Sequence, residues 1–308
     1  SFFEDIPIGP FQQNVPWDWT TWSEYRKSFE ANVKVPLNYA SYVGHIPLRL
    51  AAMGMDAWDR AATPAEIAKM CELLDDALSA GALGLSDNMH DHDGENRPVP
   101  SMLADDAEFS ALFDVMNRYP NTCYQIIVDT FMRMNGPANL KRLEKLLTGR
   151  KIRVQIAGGI PTLWFQAGIL PEMQKTIDEM RAAGIDVWPG FAHVSPTSVL
   201  SITKSLIFAQ SNDYVWHEVV LAETHAEKER LLRDPDWRAR ARESWDTQAW
   251  DHSPLKNPQD LLMLDSENGV GPIGGTLKEF ADSRGIHRSD AMADWILENG
   301  LLSTVHMA

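Results

Sequence analysis

Strand-like and helix-like segments alternate along the first 191 residues of this 308-residue chain. Short apolar runs with the length and composition of buried strands are separated by amphipathic helical patterns. This order is typical of βαβ units, in which helices cover a parallel sheet. The sequence therefore predicts an α/β fold, with strands at 33–43, 82–86, 122–129, 151–157 and 185–191.

Capping signals indicate where the helices between these strands begin. Thr63-Pro64-Ala65-Glu66 is a capping box with proline in the first turn, and Gly81 follows the last apolar residue of that helix. Asp105 and Glu108 have the same spacing, so we expect them to cap the next helix together. A helix capped near Thr20 or Thr21 is predicted within 17–31, and further helices are predicted over 138–147, 170–183, 276–283 and 289–299.

The alternation ends beyond Ser195. Residues 196–275 combine a charged helical run with prolines and the turn-rich ENGVGPIGG, which we interpret as an inserted lid or cap. The last residues, 276–308, contain two helices and an apolar run, Leu302–Met307, that is expected to begin a sixth strand. A TIM-type (β/α)8 barrel needs eight strands. We therefore predict such a barrel, incomplete in this chain, with its core in 1–195.

Composition narrows the classes of function. The net charge of -15 would repel a phosphate backbone, so no nucleic-acid partner is expected. No apolar run approaches the roughly 20 residues of a membrane span, and no membrane partner is expected. Two distant cysteines and the lack of a leader segment favour the cytoplasm. The start at Ser1 and the apolar end indicate a piece of a longer chain.

Two polar side chains follow the first predicted strand, at the position where α/β barrels hold their chemistry. His45 could bind a metal, act as an acid or base, or form a structural hydrogen bond with a neighbouring loop. Arg49 could bind a carboxylate in the same cavity, or pair with Asp56 or Asp59.

The densest group of metal-ligand side chains is His90-Asp91-His92-Asp93. In an extended segment both imidazoles of His-x-His point the same way, but a catalytic zinc normally takes three protein ligands. His45, Asp87, Asp129 or His193 would have to complete such a site, and a solvated polar loop is the alternative. Asp129 and His193 each follow a predicted strand. Nucleotide-binding fingerprints and a serine nucleophile elbow are absent from the sequence.

Four segments in the first half of the chain carry a family resemblance: VPWDWTTWSEY, VGHIPLRLAAMG, ATPAEI and DDALSAGALGLS. In order and spacing they resemble the middle of the N-acyl-D-amino-acid deacylases, the D-aminoacylase branch of the amidohydrolase superfamily. The resemblance covers about residues 10–130. It implies a distorted (β/α)8 barrel with a small β-sandwich, in which a zinc-activated water attacks an amide carbonyl and an Asp of a late strand moves the proton.

The same resemblance guides the choice of site residues. The family's His-x-His and bridging Cys lie upstream of the matching segments, and its Ser-Asp-Gly with the catalytic Asp lies downstream, so no catalytic residue is assigned here. His90 and His92 match the metal pair in letters only, because they stand in a mid-barrel loop. His193 is the expected zinc ligand. The expected substrate contacts are His45, Arg49, His90, His92 and Asp129.

The sequence thus predicts a zinc-dependent hydrolase of carbon–nitrogen bonds that cleaves a small-molecule N-acyl amide, a class that includes N-acyl-D-amino acids. Because most expected metal ligands have no counterpart in this chain, the alternative is a non-catalytic barrel that binds a ligand or partner without turnover. A sugar hydrolase with Asp87 and Asp129 as its paired carboxylates is a third reading.

Overall fold

The computed structural model describes residues 8–89, 91, 97–128, 136–160, 169–191, 198–203, 215–247 and 258–307. These residues divide into two compact units. The first comprises the described residues of 7–161 and 168–191, and the second those of 192–308. The predicted division into a barrel core, a lid and late barrel elements stays a prediction.

The first unit contains a five-stranded parallel sheet. Chain order and spatial order coincide, and each neighbouring pair of strands is parallel. This is the arrangement of successive βαβ units, so the predicted α/β fold with a parallel sheet is confirmed. The strands are β1 (Val43–Gly44), β2 (Gly84–Met89), β3 (Cys123–Val128), β4 (Arg153–Ile160) and β5 (Asp186–Phe191).

Helices connect these strands, and two of the helices in this unit begin at capping boxes. The hydroxyl of Thr63 accepts a hydrogen bond from the backbone of Glu66, whose carboxylate accepts one from the backbone of Thr63. Thr21 and Glu24 form the same arrangement. The helices are α1 (Ile8–Asn14), α2 (Trp22–Asn32), α3 (His45–Met53), α4 (Pro64–Ser79), α5 (Asp106–Met116), α6 (Gly136–Leu147) and α7 (Ile169–Ala182), with short 3-10 turns at Gly54–Trp58 and Pro100–Leu103.

The two faces of the sheet differ in polarity. Alternate side chains of β2, β3 and β4, such as Leu85, Ile126 and Val154, are buried in one core with apolar side chains of the helices. The other face carries Ser86, Gln125 and Gln155, which lie in register across three strands and are half-buried or exposed. We call this second surface the open polar face.

One hydrogen bond crosses the open polar face from the start of β1 to β4. The hydroxyl of Tyr42, just before β1, donates a hydrogen bond of 3.2 Å to Oε1 of Gln155 on β4. Three strand spacings of ~4.8 Å separate β1 from β4 in a flat sheet, ~14 Å in all. Tyr42 and Gln155 would span this distance only if both side chains lay fully extended across the sheet, so their contact favours a sheet that bends towards this face. Curvature of this kind is what a barrel requires, and closure of the barrel remains a proposal.

Two strand predictions in this unit are wrong in extent. The strand predicted over 33–43 is formed only by Val43–Gly44, because the segment before it has no partner strand among the described residues and includes Pro36, which lacks a donor. Its Leu37 is 73% exposed. The strand predicted over 82–86 is β2 and extends to Met89, so Asp87 lies in a strand and not in a loop.

The second unit is built on a three-stranded antiparallel sheet. The predicted sixth strand exists but pairs antiparallel with two strands of this unit, so it does not extend the parallel sheet. The charged run after Thr224 is broken into two helices at Asp234, before a proline. The elements are β6 (Ser198–Ser201), α8 (Val215–Leu221), α9 (His225–Arg233), α10 (Pro235–Thr247), β7 (Leu262–Asp265), α11 (Leu277–Arg284), α12 (Arg288–Asn299) and β8 (Thr304–Met307), with a 3-10 turn at Pro258–Asp260.

A buried lysine caps the C-terminal end of α8. The ammonium of Lys228, on α9, donates hydrogen bonds of 2.7 and 2.5 Å to the carbonyl oxygens of Val219 and Val220. These carbonyls are among those that a helix C-terminus leaves without an intrahelical partner. Burial lowers the pKa of Lys228.

Across the described ranges, no helix combines the length and apolar character needed to cross a membrane.

Candidate functional site

A cluster of ionisable side chains is buried between the parallel sheet and its helices. We call it the His45 cluster; its members are His45 and Arg49 of α3, Asp87 of β2, Glu108 of α5 and Tyr124 of β3. His45 is the residue after Gly44 of β1, and Asp87 is the residue after Ser86 of β2. Because Gly44 and Ser86 are paired across the two strands, His45 lies beside Asp87. All five members are buried.

The imidazole of His45 is held between two carboxylates. Its Nδ1 lies 3.2 Å from Oδ1 of Asp87 and its Nε2 lies 2.7 Å from Oε1 of Glu108. Burial by itself lowers the pKa of His45, but the charges and hydrogen bonds of Asp87 and Glu108 outweigh this effect and raise it to about 9. The imidazole is therefore a cation at neutral pH, and both of its nitrogens donate.

The remaining polar atoms complete a neutral network. Arg49 donates from Nη1 to Oε2 of Glu108 and from Nη2 to the carbonyl oxygen of Arg60 at 2.8 Å, while its Nε has no hydrogen-bond partner in the described structure. The hydroxyl of Tyr124 donates to Oδ2 of Asp87 at 2.7 Å, and burial raises the pKa of Tyr124 well above its usual value. Two cations thus balance two carboxylates, which makes burial of all four tolerable.

Glu108 and Tyr124 are members of the cluster that the sequence did not reveal. The expectation that Glu108 helps to cap its helix is wrong, because only Asp105 caps: its carboxylate accepts from the backbone N–H of Glu108 at 2.9 Å. The side chain of Glu108 turns inward instead. The suggested pairing of Arg49 with Asp56 or Asp59 is also wrong, because Arg49 is buried and pairs with Glu108, while Asp56 pairs with Arg60.

Of the predicted substrate contacts, the structure describes His45 and Arg49. Both side chains are fully buried, and they link the end of β1 to β2 and α5. Their direct contact with a substrate stays a prediction. His90, His92, Asp129 and His193 lie outside the described residues, and their roles stay predictions as well.

The described residues do not fit a zinc site. Among them, no three His, Cys, Asp or Glu side chains are arranged to hold a metal ion. The His45 cluster contains such residue types, but both imidazole nitrogens are engaged by carboxylates and a guanidinium shares Glu108. A zinc ion would have to displace these partners, so no catalytic step is assigned to metal in this region.

The open polar face offers neutral hydrogen-bonding groups on the opposite side of the same strands. The hydroxyl of Ser86 donates to Oε1 of Gln125 at 2.5 Å, and Tyr42 donates to Gln155. Trp188 of β5 is in register with Gln155 and is 63% exposed. A barrel directs this surface towards its interior and binds substrates at the strand ends that border it. The glutamines alternate with apolar residues along β3 and β4, which is the sequence signal that could have identified this face.

The curated proteins whose sequences match this chain are longer than the chain itself. No family model matches the chain. Uncharacterized proteins of Mycobacterium bovis and Mycobacterium tuberculosis are 38% identical over 322 residues, which cover 96% of this chain and 49% of theirs. The chain therefore spans about half the length of the curated relatives it matches.

Solved structures that resemble this chain include an N-acyl-D-glutamate deacylase and a D-aminoacylase. The N-acyl-D-glutamate deacylase of Bordetella bronchiseptica, complexed with zinc and a phosphonate mimic of the tetrahedral intermediate, is 18% identical with a TM-score of 0.50, covering 93% of this chain and 47% of that one. A D-aminoacylase structure that defines a novel subset of amidohydrolases is 19% identical with a TM-score of 0.48, covering 99% of this chain and 52% of its own. The likeness to the deacylase establishes a shared fold.

Proposed function

We propose that this chain is part of a metal-dependent amidohydrolase that cleaves the amide bond of a small N-acyl amino acid, with the D series as its preferred substrates. The observation that carries the proposal is the fold shared with N-acyl-D-glutamate deacylase over 93% of the chain. The four sequence segments that resemble the same family support it independently. Zinc, with His193 among its ligands, belongs to this proposal.

The described residues would serve such a reaction by positioning the strand ends. The His45 cluster ties the residue after β1 to Asp87, and the chain continues from β2 directly to His90. Because the cluster is buried and charge-balanced, it holds this end of the sheet in one geometry. The neutral groups of the open polar face supply hydrogen bonds for the amide of a substrate without attracting the phosphate groups that a cationic surface would favour.

The test uses the protein in its full natural length. Purified protein supplemented with zinc is incubated with matched N-acyl-D- and N-acyl-L-amino acids, and the released amino acid is quantified. Bound metal is measured by inductively coupled plasma mass spectrometry. The proposal expects hydrolysis of the D series and stoichiometric zinc. Folded, zinc-supplemented protein that binds these amides without cleaving any of them would instead establish the non-catalytic alternative.

A further inference from the structure

A groove of about 620 Å³ opens where the strands of the parallel sheet begin. Its walls are the connections that lead into β3, β4 and β5 and the first residues of β4 and β5; the lining residues are 117–122, 150–153, Gly184 and Asp186. Barrel active sites lie at the opposite end, after the strands. The groove is therefore separate from the site discussed above, and its volume is that of small-molecule pockets.

The groove is positively charged in an acidic chain. The residues lining it include four basic side chains and one acidic side chain, Asp186. The whole chain has 43 acidic and 28 basic residues, so this local excess is opposite to the overall charge. A concave surface lined by one sign of charge concentrates ions of the other sign. The basic side chains are Arg118, Arg150, Lys151 and Arg153.

Two of the four basic side chains, Arg150 and Arg118, already form hydrogen bonds and ion pairs with neighbouring residues of the protein. Arg150 donates from Nε and Nη2 to Asp114 at 3.0 and 2.8 Å, and from Nη1 to the carbonyl oxygen of Leu146 near the end of α6. Arg118 donates to Asp75 at 2.7 Å. Basic groups beside helix C-termini are an ordinary stabilising feature, which accounts for this pair.

Lys151 and Arg153 are not explained in that way, because they lie past the end of α6 and lead into β4. The backbone N–H of Lys151 donates to Oδ1 of Asn117 at 2.7 Å, while its ammonium has no partner within the described part of the chain. Arg153 has only long contacts, 3.5 Å to Asp186 and 3.4 Å to Asn121, and is 56% exposed. The ammonium of Lys151 is therefore available to a ligand, whereas Arg153 would exchange its exposed pairing with Asp186 to bind one.

The loop facing them is held in a fixed conformation. Asn121 has a φ of 64°, in the left-handed region that few residues other than glycine adopt. The next residue, Thr122, is buried, and its hydroxyl donates to the carbonyl oxygen of Met116 at 3.2 Å. The amide of Asn121 is thereby kept beside the guanidinium of Arg153. A rigid wall reduces the entropy lost when a ligand binds.

We propose that this groove binds a small, multiply charged anion through Lys151 and Arg153. The ligand class is a phosphate ester or a polycarboxylate, whose anionic oxygens suit both a compact ammonium and a planar guanidinium. The groove differs from a diffuse basic surface in that its cations converge on one concave volume. This inference does not depend on the proposed hydrolysis.

Calorimetric titration of the full natural protein tests the groove. Inorganic phosphate, pyrophosphate and citrate are the probes, at constant ionic strength set with sodium chloride. Wild-type protein is compared with Lys151→Glu, and with Lys175→Glu as a matched charge reversal at a 75% exposed lysine on α7. We expect saturable binding to wild type, at least about tenfold weaker binding to Lys151→Glu because a charged partner is lost, and unchanged binding to Lys175→Glu.

Each outcome decides the proposal. Binding of phosphates alone assigns a phosphate ester, and binding of citrate alone assigns a polycarboxylate; either supports the groove. Absence of saturable binding to wild type, or an equal loss in both charge reversals, overturns it. Lys151→Gln, with circular dichroism to verify folding, repeats the test should Lys151→Glu fail to fold.

Discussion

His45 and Glu108 lie 63 residues apart in the sequence, and their side chains meet at 2.7 Å in the interior of the first unit. The same carboxylate also accepts from Arg49, so one acidic side chain of α5 holds two cations of α3. Both carboxylate oxygens of Glu108 are thus used. The position of α3 after β1 therefore depends on Glu108.

Replacing Glu108 by Gln should strongly destabilise the protein. The change keeps the shape of the side chain but leaves two buried cations with one carboxylate, and breaking a buried pair in this way costs ~3–5 kcal/mol. Urea unfolding followed by circular dichroism measures the loss. Asp106→Asn is the control, because Asp106 lies on the same turn, is 68% exposed and pairs with Arg142, so its removal should cost no more than ~1 kcal/mol. Equal losses in the two variants would contradict the role of Glu108.

Stability should fall as the solution becomes alkaline. The folded state raises the pKa of His45 from 6.5 to about 9, so it retains a proton that the unfolded chain releases. This contribution is fully present below pH 6.5 and is lost as the pH rises through about 9; a shift of this size corresponds to ~3 kcal/mol. Urea unfolding at intervals between pH 6 and pH 10 measures it. In His45→Gln the alkaline loss assigned to His45 should disappear, and persistence of the full loss would refute the assignment.

Gly84 should tolerate no side chain. A Cβ added there would lie 1.8 Å from the carbonyl oxygen of Cys123, so Gly84→Ala must separate β2 from β3. We expect a loss of more than ~3 kcal/mol or failure to fold. Gly149→Ala is the control without a clash, because Gly149 also has a positive φ but no atom within 4 Å of the added group, and its cost should be about 1 kcal/mol. Because φ is 154° at Gly84 and 82° at Gly149, the difference between the two losses includes the clash and the difference in backbone strain.

Lys228→Met should destabilise the second unit. The variant keeps an unbranched apolar stem but leaves the carbonyls of Val219 and Val220 without their donor, which costs ~1–3 kcal/mol. Lys278→Met removes an exposed lysine that pairs with Asp282 and should change stability by less than ~0.5 kcal/mol. Thermal unfolding of both variants beside wild type provides the comparison, and an unchanged midpoint for Lys228→Met would show that water replaces the ammonium.

His92→Ala should separate substrate binding from metal binding. Since His92 is expected to contact substrate and not zinc, the variant should keep its metal content and bind substrate about tenfold more weakly, as expected for loss of one hydrogen bond to a polar group. Plasma mass spectrometry and a substrate titration measure the two quantities. Loss of the metal in this variant would make His92 a ligand and would revise the proposed site.

Local signals in the sequence located α4 and α5 but not the cluster that joins α5 to α3. Thr63 with Glu66 and Asp105 with Glu108 have the same spacing, yet only the first pair forms a capping box. Glu66 has backbone donors and Arg60 nearby, whereas Glu108 reaches Arg49 and His45 from far along the chain. A capping pattern is local, and nothing in its spacing reports which distant cations compete for the carboxylate.

The prediction of a strand over 33–43 failed for a related reason. Residues 33–43 have the alternation of a strand, but a strand also needs a neighbour, and within the described residues β1 gains its pairing only at Val43 and Gly44. The run that became β3 was predicted within one residue of its bounds, because it is buried between two neighbours and its sequence reflects that environment. β5, at the other edge of the described sheet, was also predicted within one residue of its bounds, so the error at β1 follows from its lack of pairing and not from an edge position as such.

The hydrogen bond from Tyr42 to Gln155 joins residues 113 positions apart. Contacts that close long loops are made late in folding, because the chain loses the entropy of closure before it gains the contact. β2, β3 and β4 can pair through much shorter connections, so the sheet should assemble before it bends. The curved polar face would then be the last region of this unit to reach its native shape, and until that step a refolding chain exposes the flat surface of its sheet to aggregation.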